Sequence, residues 1–297
     1  VTGVVTRAKP RLKVGFYDFW PNHQPANNYF YHVLSSRFRV EIDDAHPDAA
    51  IFSVFGDRHR SIPCRRKYHM TGETRQAPDD AYDYSFTFGA TSRRNYRLPL
   101  WVLYIDWFGV AHPNDCNPSY LVPLAALAHR PPPTPRPRFC NFVFNRDSGA
   151  RGAFLDALAA RREVDSLGAL RNNQAGGRPL GGDERTKIDA QRDYRFTIAF
   201  ENTIHPGYVT EKLVHPLAAQ SVPIYWGCPE VAADFNPAAF LDARDYPSLD
   251  ALADEVMAVD ADPARWQRIA AAPVFSEGGV PAALRPDAVA DFFEATL

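Results

Sequence analysis

The chain of 297 residues is long enough for two domains of ordinary size. Apolar residues make up 45% of it and charged residues 23%, the balance of a soluble globular protein rather than a disordered or fibrous one. The formal net charge of -2 supplies no global basic field for nucleic acid, and no Lys/Arg-rich run marks a binding tail.

Residues 11–20, RLKVGFYDFW, read as a first strand, with Leu12, Val14, Phe16 and Phe19 apolar and Asp18 at its carboxyl end. Residues 27–36 place Tyr29, Phe30, Val33 and Leu34 at helical spacing. Further strands are expected at 49–55, 66–70, 82–88 and 98–105. Strands alternating with helical or loop segments predict an α/β sheet, whose carboxyl rim gathers Asp18, Asp57, Glu73 and Asp106. Glu73 stands out because it follows a short strand and a glycine, in Thr71-Gly72-Glu73, a turn that presents a side chain at a crevice. A solvated surface carboxylate is the commoner role for such a residue. Asp18 is the second choice for any task that needs a base.

Residues 129–138, HRPPPTPRPR, carry five prolines in ten positions and cannot form a helix or a central strand. They predict a stiff connector and a domain boundary near residue 130. A strand restarts at 139–144, FCNFVF, followed by a loop and a helix over 153–162. Arg151, ahead of that helix, is a candidate anion contact at a helix N-terminus or a solvated arginine. Residues 168–183 read as a loop whose glycines (Gly176, Gly177, Gly181, Gly182) fit neither GxGxxG nor a Walker A pattern.

Residues 194–231, YRFTIAFENTIHPGYVTEKLVHPLAAQSVPIYWGCPEV, hold the densest chemistry. Strand, polar loop, helix and strand follow in βαβ order, and ligands bind outside the carboxyl ends of such strands. Thr210 suits an N-cap and Glu211 a first helical turn, but Lys212 puts a cation at the positive end of the helix dipole. It either reaches into water or faces a bound anion, typically a phosphate. Pro216 predicts a kink or a short helix. A helix over 248–259 and an amphipathic one over 287–297 complete the chain, the latter placed to pack back on the first domain. The four cysteines (Cys64, Cys116, Cys140, Cys228) form no CxxC, which argues against zinc and for free thiols in a reducing compartment. No run reaches the roughly 18 apolar residues of a membrane span, and residues 1–13 lack the apolar core of a signal peptide.

The stretch FENTIHPGYVTEKLVHPLAAQSVPIYWGCPEV resembles the signature of the α1,3/4-fucosyltransferases of glycosyltransferase family 10, F-E-N-[ST]…G-Y-V-T-E-K-[IL]…P-I-Y-W-G-x-P. Weaker similarity runs through FCNFVFNRDSGARGAFLDAL, RLPLWVLY and the TGE at 71–73. Thr203 and His205-Pro206 are small departures in the variable part of the loop. The resemblance implies an α/β GT-B fold: two Rossmann-like domains facing each other across a cleft, residues 1–130 for the acceptor and 131–297 for GDP-fucose. By motif, Arg151 and Lys212 would hold the diphosphate, while Asn202, Tyr208, Val209 and Thr210 would line the donor site. Glu211 would bind the ribose or guanosine end, and Glu73 would be the general base of an inverting transfer to O3 of N-acetylglucosamine in an N-acetyllactosamine-type acceptor. No DxD pair lies in a plausible loop, so the expected site needs no metal, with a stimulatory divalent ion compatible. The expected location is cytoplasmic, compatible with the inner face of a membrane. The alternatives are a GT-B transferase for another nucleotide sugar and an inactive sugar- or nucleotide-binding module. Linkage choice is left to loops at 22–28 and 109–120, and the oligomeric state is left open.

Overall fold

A computed structural model describes residues 8–109, 121–180, 183–276 and 279–297, in which eleven of the strands lie in two all-parallel sheets. Cys116, Gly181, Gly182 and nearly all of the 109–120 loop lie outside the described residues. The first sheet comprises β1 (Arg11–Tyr17), β2 (Arg39–Ile42), β3 (Ala49–Phe52), β4 (Arg66–Met70), β5 (Tyr84–Thr87) and β6 (Asn95–Arg97) in the order β2-β1-β3-β4-β5-β6. Its central strand β3 is apolar on both faces, as a covered parallel sheet requires: all four of its residues are buried. The edge strands β2 and β6 are short, mixed and half-exposed, so their sequences give no alternation to read.

Helix α1 (Tyr29–Arg37) starts where Asn28 caps it, its side chain accepting the Tyr31 N–H at 3.0 Å. The C-terminal helix Pro286–Thr296 packs beside α1 and the first sheet. The Phe293 ring lies 4.9 Å from those of Tyr68 and Phe86, and Arg37 pairs with Asp291 at 3.1 Å. Burying Phe293 completely contributes about 2–3 kcal/mol, whereas the exposed pair adds little.

The strand expected at 98–105 is a 3₁₀ turn, Leu100–Tyr104, followed by the two-residue β7 (Ile105–Asp106), which pairs with β8 (Val122–Pro123). An unbroken apolar run does not distinguish a buried strand from a buried turn. Here Trp101 is fully buried, with its backbone N–H on the Val209 carbonyl (3.2 Å) and its indole N–H on Asp234 (3.1 Å).

The second sheet holds β9 (Arg138–Phe142), β10 (Asp165–Ser166), β11 (Tyr194–Phe200), β12 (Val222–Trp226) and β13 (Leu241–Asp242) in the order β10-β9-β11-β12-β13. The order reverses between β9 and β11, which makes their carboxyl ends the topological switch point where ligands bind in open parallel sheets. Its helices are α2 (Leu124–Ala128), α3 (Arg151–Ala159), α4 (Glu184–Gln191), α5 (Glu211–Ala219), α6 (Leu249–Ala261) and α7 (Pro263–Ala271). Helix α5 runs on through Pro216 instead of stopping before it, and ends at Gln220 in the left-handed region (φ 56).

Among the described residues the compact units divide at Leu98 and Pro281: the chain to Leu98 joins Ala282–Leu297, and those between Pro99 and Pro281 form the other. The boundary expected after residue 130 therefore falls inside the second unit. The proline-rich stretch is not a free connector there. Its Pro131 carbonyl accepts from Gln220 at 2.7 Å, Arg130 donates to the Ala272 carbonyl at 2.9 Å, and Arg136 donates to the Ala219 carbonyl at 3.2 Å.

Candidate active site

The residue directly after strand β11 is Glu201, a carboxylate with no exposed surface. Such a group is costly to bury unless its lone pairs are met. Thr210 meets them: its backbone N–H donates to Oε1 at 2.8 Å, and its hydroxyl lies 3.0 and 2.9 Å from the two oxygens. The close fit also explains a glycine. A Cβ on Gly227 would stand 2.6 Å from Glu201 Cγ and 2.7 Å from the Tyr225 hydroxyl, distances that force a shift. Complete burial, only partly opposed by Lys212 and Thr210, pushes the Glu201 pKa above the usual carboxylate range.

Thr210 caps α5 as expected, accepting the Lys212 N–H. Lys212 does not reach into water. Only 17% of its side chain is exposed, and Nζ sits 2.9 Å from Glu211 Oε1, 3.1 Å from Thr210 Oγ1 and 3.5 Å from Glu201 Oε2. Two carboxylates thus hold the ammonium at the helix start. Burial alone would lower its pKa, but their charges outweigh burial and raise it. For Glu211, burial pushes upward, and the adjacent Lys212 charge and hydrogen bond outweigh it, bringing the carboxyl down to about 2.

Arg151 opens α3 and is 4% exposed. Its guanidinium makes five hydrogen bonds: two to the Phe200 carbonyl (3.2 and 2.9 Å), and one each to the Arg146 carbonyl (3.4 Å), Ser148 Oγ (2.7 Å) and Asn202 Oδ1 (2.6 Å). It also lies 4.0 Å over the Phe144 ring. Every one of these acceptors is neutral. Arg151 ties the segment after β9 to the end of β11 across the switch point, and its charge has no carboxylate partner among the described residues.

Around this cluster, Tyr208 and Val209 are buried, and Asn202 is exposed. Gly207 turns the loop at φ 75, and its N–H points to Cys228 Sγ at 3.1 Å. The structure therefore brings together Arg151, Asn202, Thr210, Glu211 and Lys212 in the second unit. Glu201, the first residue of the polar loop after β11, joins them, and its place at a strand's carboxyl end was the available signal. Three further polar groups beside the cluster had no sequence signal: Glu184, Gln191 and His215.

Glu73 lies in the first unit, exposed in the turn after β4. Its backbone N–H donates to Thr71 Oγ1 at 3.0 Å, and its carboxylate has no partner among the described residues. Asp18 is otherwise engaged. It is 5% exposed and accepts from the N–H groups of Arg58 and His59 (both 3.0 Å) and from His59 Nδ1 (2.6 Å). A carboxylate so occupied is a brace for the 3₁₀ turn Arg58–Ser61, not a free base. A cavity of about 680 Å³ in the same unit, beside Arg60, Cys64, Arg65 and Tyr82, contains none of the expected residues. Among the described residues no cluster of three or more His, Cys, Asp or Glu is arranged to hold a metal, and no helix is long and apolar enough to cross a membrane.

Residues 139–270 match the family model described as glycosyltransferase family 10 (fucosyltransferase), C-terminal part. Residues 14–104 match that of the alpha-(1,3)-fucosyltransferase FucT N-terminal domain. The chain is 26% identical over 284 residues to the alpha-(1,3)-fucosyltransferase FucT of Helicobacter pylori, covering 85% of this chain and 58% of that protein. It is 32% identical over 194 residues to the GDP-fucose protein O-fucosyltransferase 3 of Bos taurus, covering 61% and 38%. The chain thus spans little more than half of the first relative and less of the second. Crystal structures of an alpha1,3-fucosyltransferase with GDP and with GDP-fucose superimpose with TM-scores of 0.75 and 0.74, at 22% identity, over 99% of this chain and 92% and 93% of those chains. At that identity the likeness carries the fold, and with two parallel α/β sheets it bears out the GT-B class expected from the sequence.

Proposed function

Because the chain belongs to glycosyltransferase family 10, the fucosyltransferases, we propose that it is an inverting fucosyltransferase that moves L-fucose from GDP-fucose to O3 of N-acetylglucosamine in an N-acetyllactosamine-type acceptor. The observation that carries this reading is the buried charge cluster at the β9/β11 switch point. There a helix N-terminus, Lys212 and an arginine without a carboxylate partner converge where a diphosphate is expected.

In this reading Lys212 and Arg151 hold the diphosphate, Asn202, Tyr208, Val209 and Thr210 line the donor site, and Glu211 accepts hydrogen bonds from the ribose hydroxyls. Glu73 takes the proton from the acceptor hydroxyl as that oxygen attacks C1 of the fucose. The C1–O bond to the β-phosphate breaks, its electrons pass to the phosphate, and GDP leaves on the opposite face. Fixed cations stabilise the charge that grows on the leaving oxygen, so the chemistry asks for no metal. The 1,3 linkage follows the name of the Helicobacter relative, and the N-acetyllactosamine-type acceptor follows the resemblance to the family. The Bos taurus relative is named for a protein acceptor, so an acceptor screen belongs in the test.

GDP release from GDP-fucose, measured with N-acetyllactosamine, lactose and a protein acceptor and followed by linkage analysis, tests the proposal. Turnover with inverted anomeric configuration at O3 is expected, and it should persist in EDTA. Binding of UDP-sugars in preference to GDP-fucose, or donor binding without transfer to any acceptor, would replace it with the rival readings.

A further inference from the structure

The connections from β3 to β4 and from β4 to β5, residues 53–65 and 71–83, run over one face of the first sheet. A helix normally covers each face of a parallel sheet. Here each connection carries only a 3₁₀ turn, Arg58–Ser61 in the first and Asp79–Ala81 in the second. The buried apolar cluster beneath them is small: Tyr17, Ala50 and Phe52. Lys67 and His69 pair in register with Ala50 and Phe52, so they share this face. Tyr68, between them, turns to the C-terminal helix on the other. The two connections leave an open cavity of about 680 Å³, the size of a small-molecule site.

Residues 58–67 read RHRSIPCRRK, five Lys/Arg in ten with no acid, inside a chain of formal net charge -2. The run lies in a folded connection, not in a tail, where such density repels itself. The fold accounts for three of the five. Arg58 lies 5.4 Å over the Tyr17 ring, Arg66 donates to the Thr296 carbonyl at 3.0 Å, and Lys67 donates to the His59 carbonyl at 2.8 Å. Arg60 and Arg65 line the cavity, exposed, with no ion pair or side-chain hydrogen bond among the described residues. A merely solvated arginine needs neither a cavity nor a braced turn, yet Asp18 fixes the turn that carries Arg60.

The second connection brings Asp80 and Asp83 to the same cavity. Asp83 Oδ2 accepts the Lys67 N–H at 2.8 Å, and Asp80 has no side-chain partner among the described residues. Neither carboxylate pairs with Arg60 or Arg65, so the cavity has a donor side and an acceptor side. Its Tyr82 ring already carries His69, stacked at 5.2 Å, and Arg94 at 5.3 Å.

We propose that this cavity is a second ligand site, for a phosphorylated sugar: Arg60, Arg65 and Lys67 take the phosphate, and Asp80 and Asp83 accept from the sugar hydroxyls. A phosphate monoester suits guanidinium groups, which bind it through two N–H donors at once. A nucleotide base would find no open ring to stack on, and three cations with two carboxylates leave little apolar wall for an acyl chain. The site lies wholly in the first unit and does not depend on the donor assignment in the second.

Calorimetry of the whole chain, with GDP in excess to occupy the cations of the second unit, compares glucose 1-phosphate, inorganic phosphate and glucose. Glucose 1-phosphate is expected to bind with a Kd of about 1 mM or tighter, inorganic phosphate about tenfold more weakly, and glucose not measurably. Arg60→Gln and Arg65→Gln change exposed side chains, so each should keep the wild-type Tm and weaken glucose 1-phosphate by about tenfold. Asp80→Asn should bring glucose 1-phosphate toward inorganic phosphate without weakening the latter. No binding of glucose 1-phosphate, binding that survives both arginine substitutions, or equal affinity for inorganic phosphate overturns the site. Capture by vesicles containing phosphatidic acid, with no binding of glucose 1-phosphate, would give these cations to a lipid surface and overturn it too.

Discussion

Replacing Thr210 by valine removes one oxygen from the centre of the cluster and keeps the shape. That oxygen caps α5, and N-cap loss costs about 1 kcal/mol. It also bridges both oxygens of the fully buried Glu201 at 3.0 and 2.9 Å and stands 3.1 Å from Lys212 Nζ. Loss of a hydrogen bond to a buried charged group adds about 1.5–3 kcal/mol. Together Thr210→Val should destabilise the second unit by about 2–4 kcal/mol, or ~4–16 °C in Tm for a domain of this size. Thr210→Ser keeps the oxygen and should recover most of the loss. The backbone N–H on Glu201 is present in both variants, so their difference isolates the hydroxyl. Thermal denaturation of the three proteins side by side is the assay. A valine variant within about 1 °C of wild type, or a serine variant as unstable as valine, would refute the idea that this hydroxyl holds Glu201 and Lys212 in register.

Lys212→Ala should weaken GDP-fucose binding by about a hundredfold or more and also lower Tm, because it strips Glu201 and Glu211 of their shared cation; breaking a buried pair costs about 3–5 kcal/mol. Calorimetry below the melting range separates the two effects, and unchanged affinity would remove Lys212 from the donor site. Glu73→Gln should cut kcat by roughly a hundredfold with Tm unaltered, since its exposed side chain has no partner among the described residues. Turnover close to normal would pass the base role to another group, and Asp18 is too engaged to take it. Stability should fall as pH drops below about 6.5. Burial lowers His23 and His69 to about 4 in the first unit and His215 to about 3 in the second, so the unfolded chain takes up protons that the native state refuses. The stabilisation is complete above 6.5 and shrinks by up to ~1.4 kcal/mol per pH unit per histidine until the folded pKa is reached. Below about 4.5 Glu211, held near 2, adds to the loss in the same direction. Urea denaturation at pH 7.5, 6 and 5 measures the slope, and a flat profile would contradict the buried neutral state.

The sheets were legible where burial on both faces writes a mostly apolar run, as in β9, β11 and β12. They were illegible at the edges, where Arg39–Ile42 and Asn95–Arg97 are half-exposed and carry no period. Leu100–Tyr104 was misread for the opposite reason: it is as apolar as a strand, but Trp101 is anchored by Val209 and Asp234 from distant parts of the chain. Helix α4, ERTKIDAQ, buries only Ile188 and Gln191, so nothing in its hydrophobic pattern announced it or the two polar groups, Glu184 and Gln191, that it places beside the cluster. The prolines of 129–138 correctly excluded helix and central strand, but composition is silent on whether an extended segment hangs free or is hydrogen-bonded along its length. Lys212 shows the same limit at one residue. Its place at a helix start was readable, and the geometry that puts Glu201, eleven positions earlier, beside it was not.

Two cations and two carboxylates meet at this switch point, an arrangement that stability alone does not favour, since well-packed apolar groups often do as well. They are not distributed evenly. Lys212 has both carboxylates within 3.5 Å, whereas Arg151 spends all five N–H groups on neutral acceptors. A diphosphate arriving here therefore meets two kinds of cation. Arg151 has no carboxylate hydrogen-bonded to it among the described residues and its donors are already committed to neutral acceptors, so it acts chiefly by field and by fixing the loop. Lys212 offers three rotatable donors in exchange for the contacts it already has with Glu201, Glu211 and Thr210.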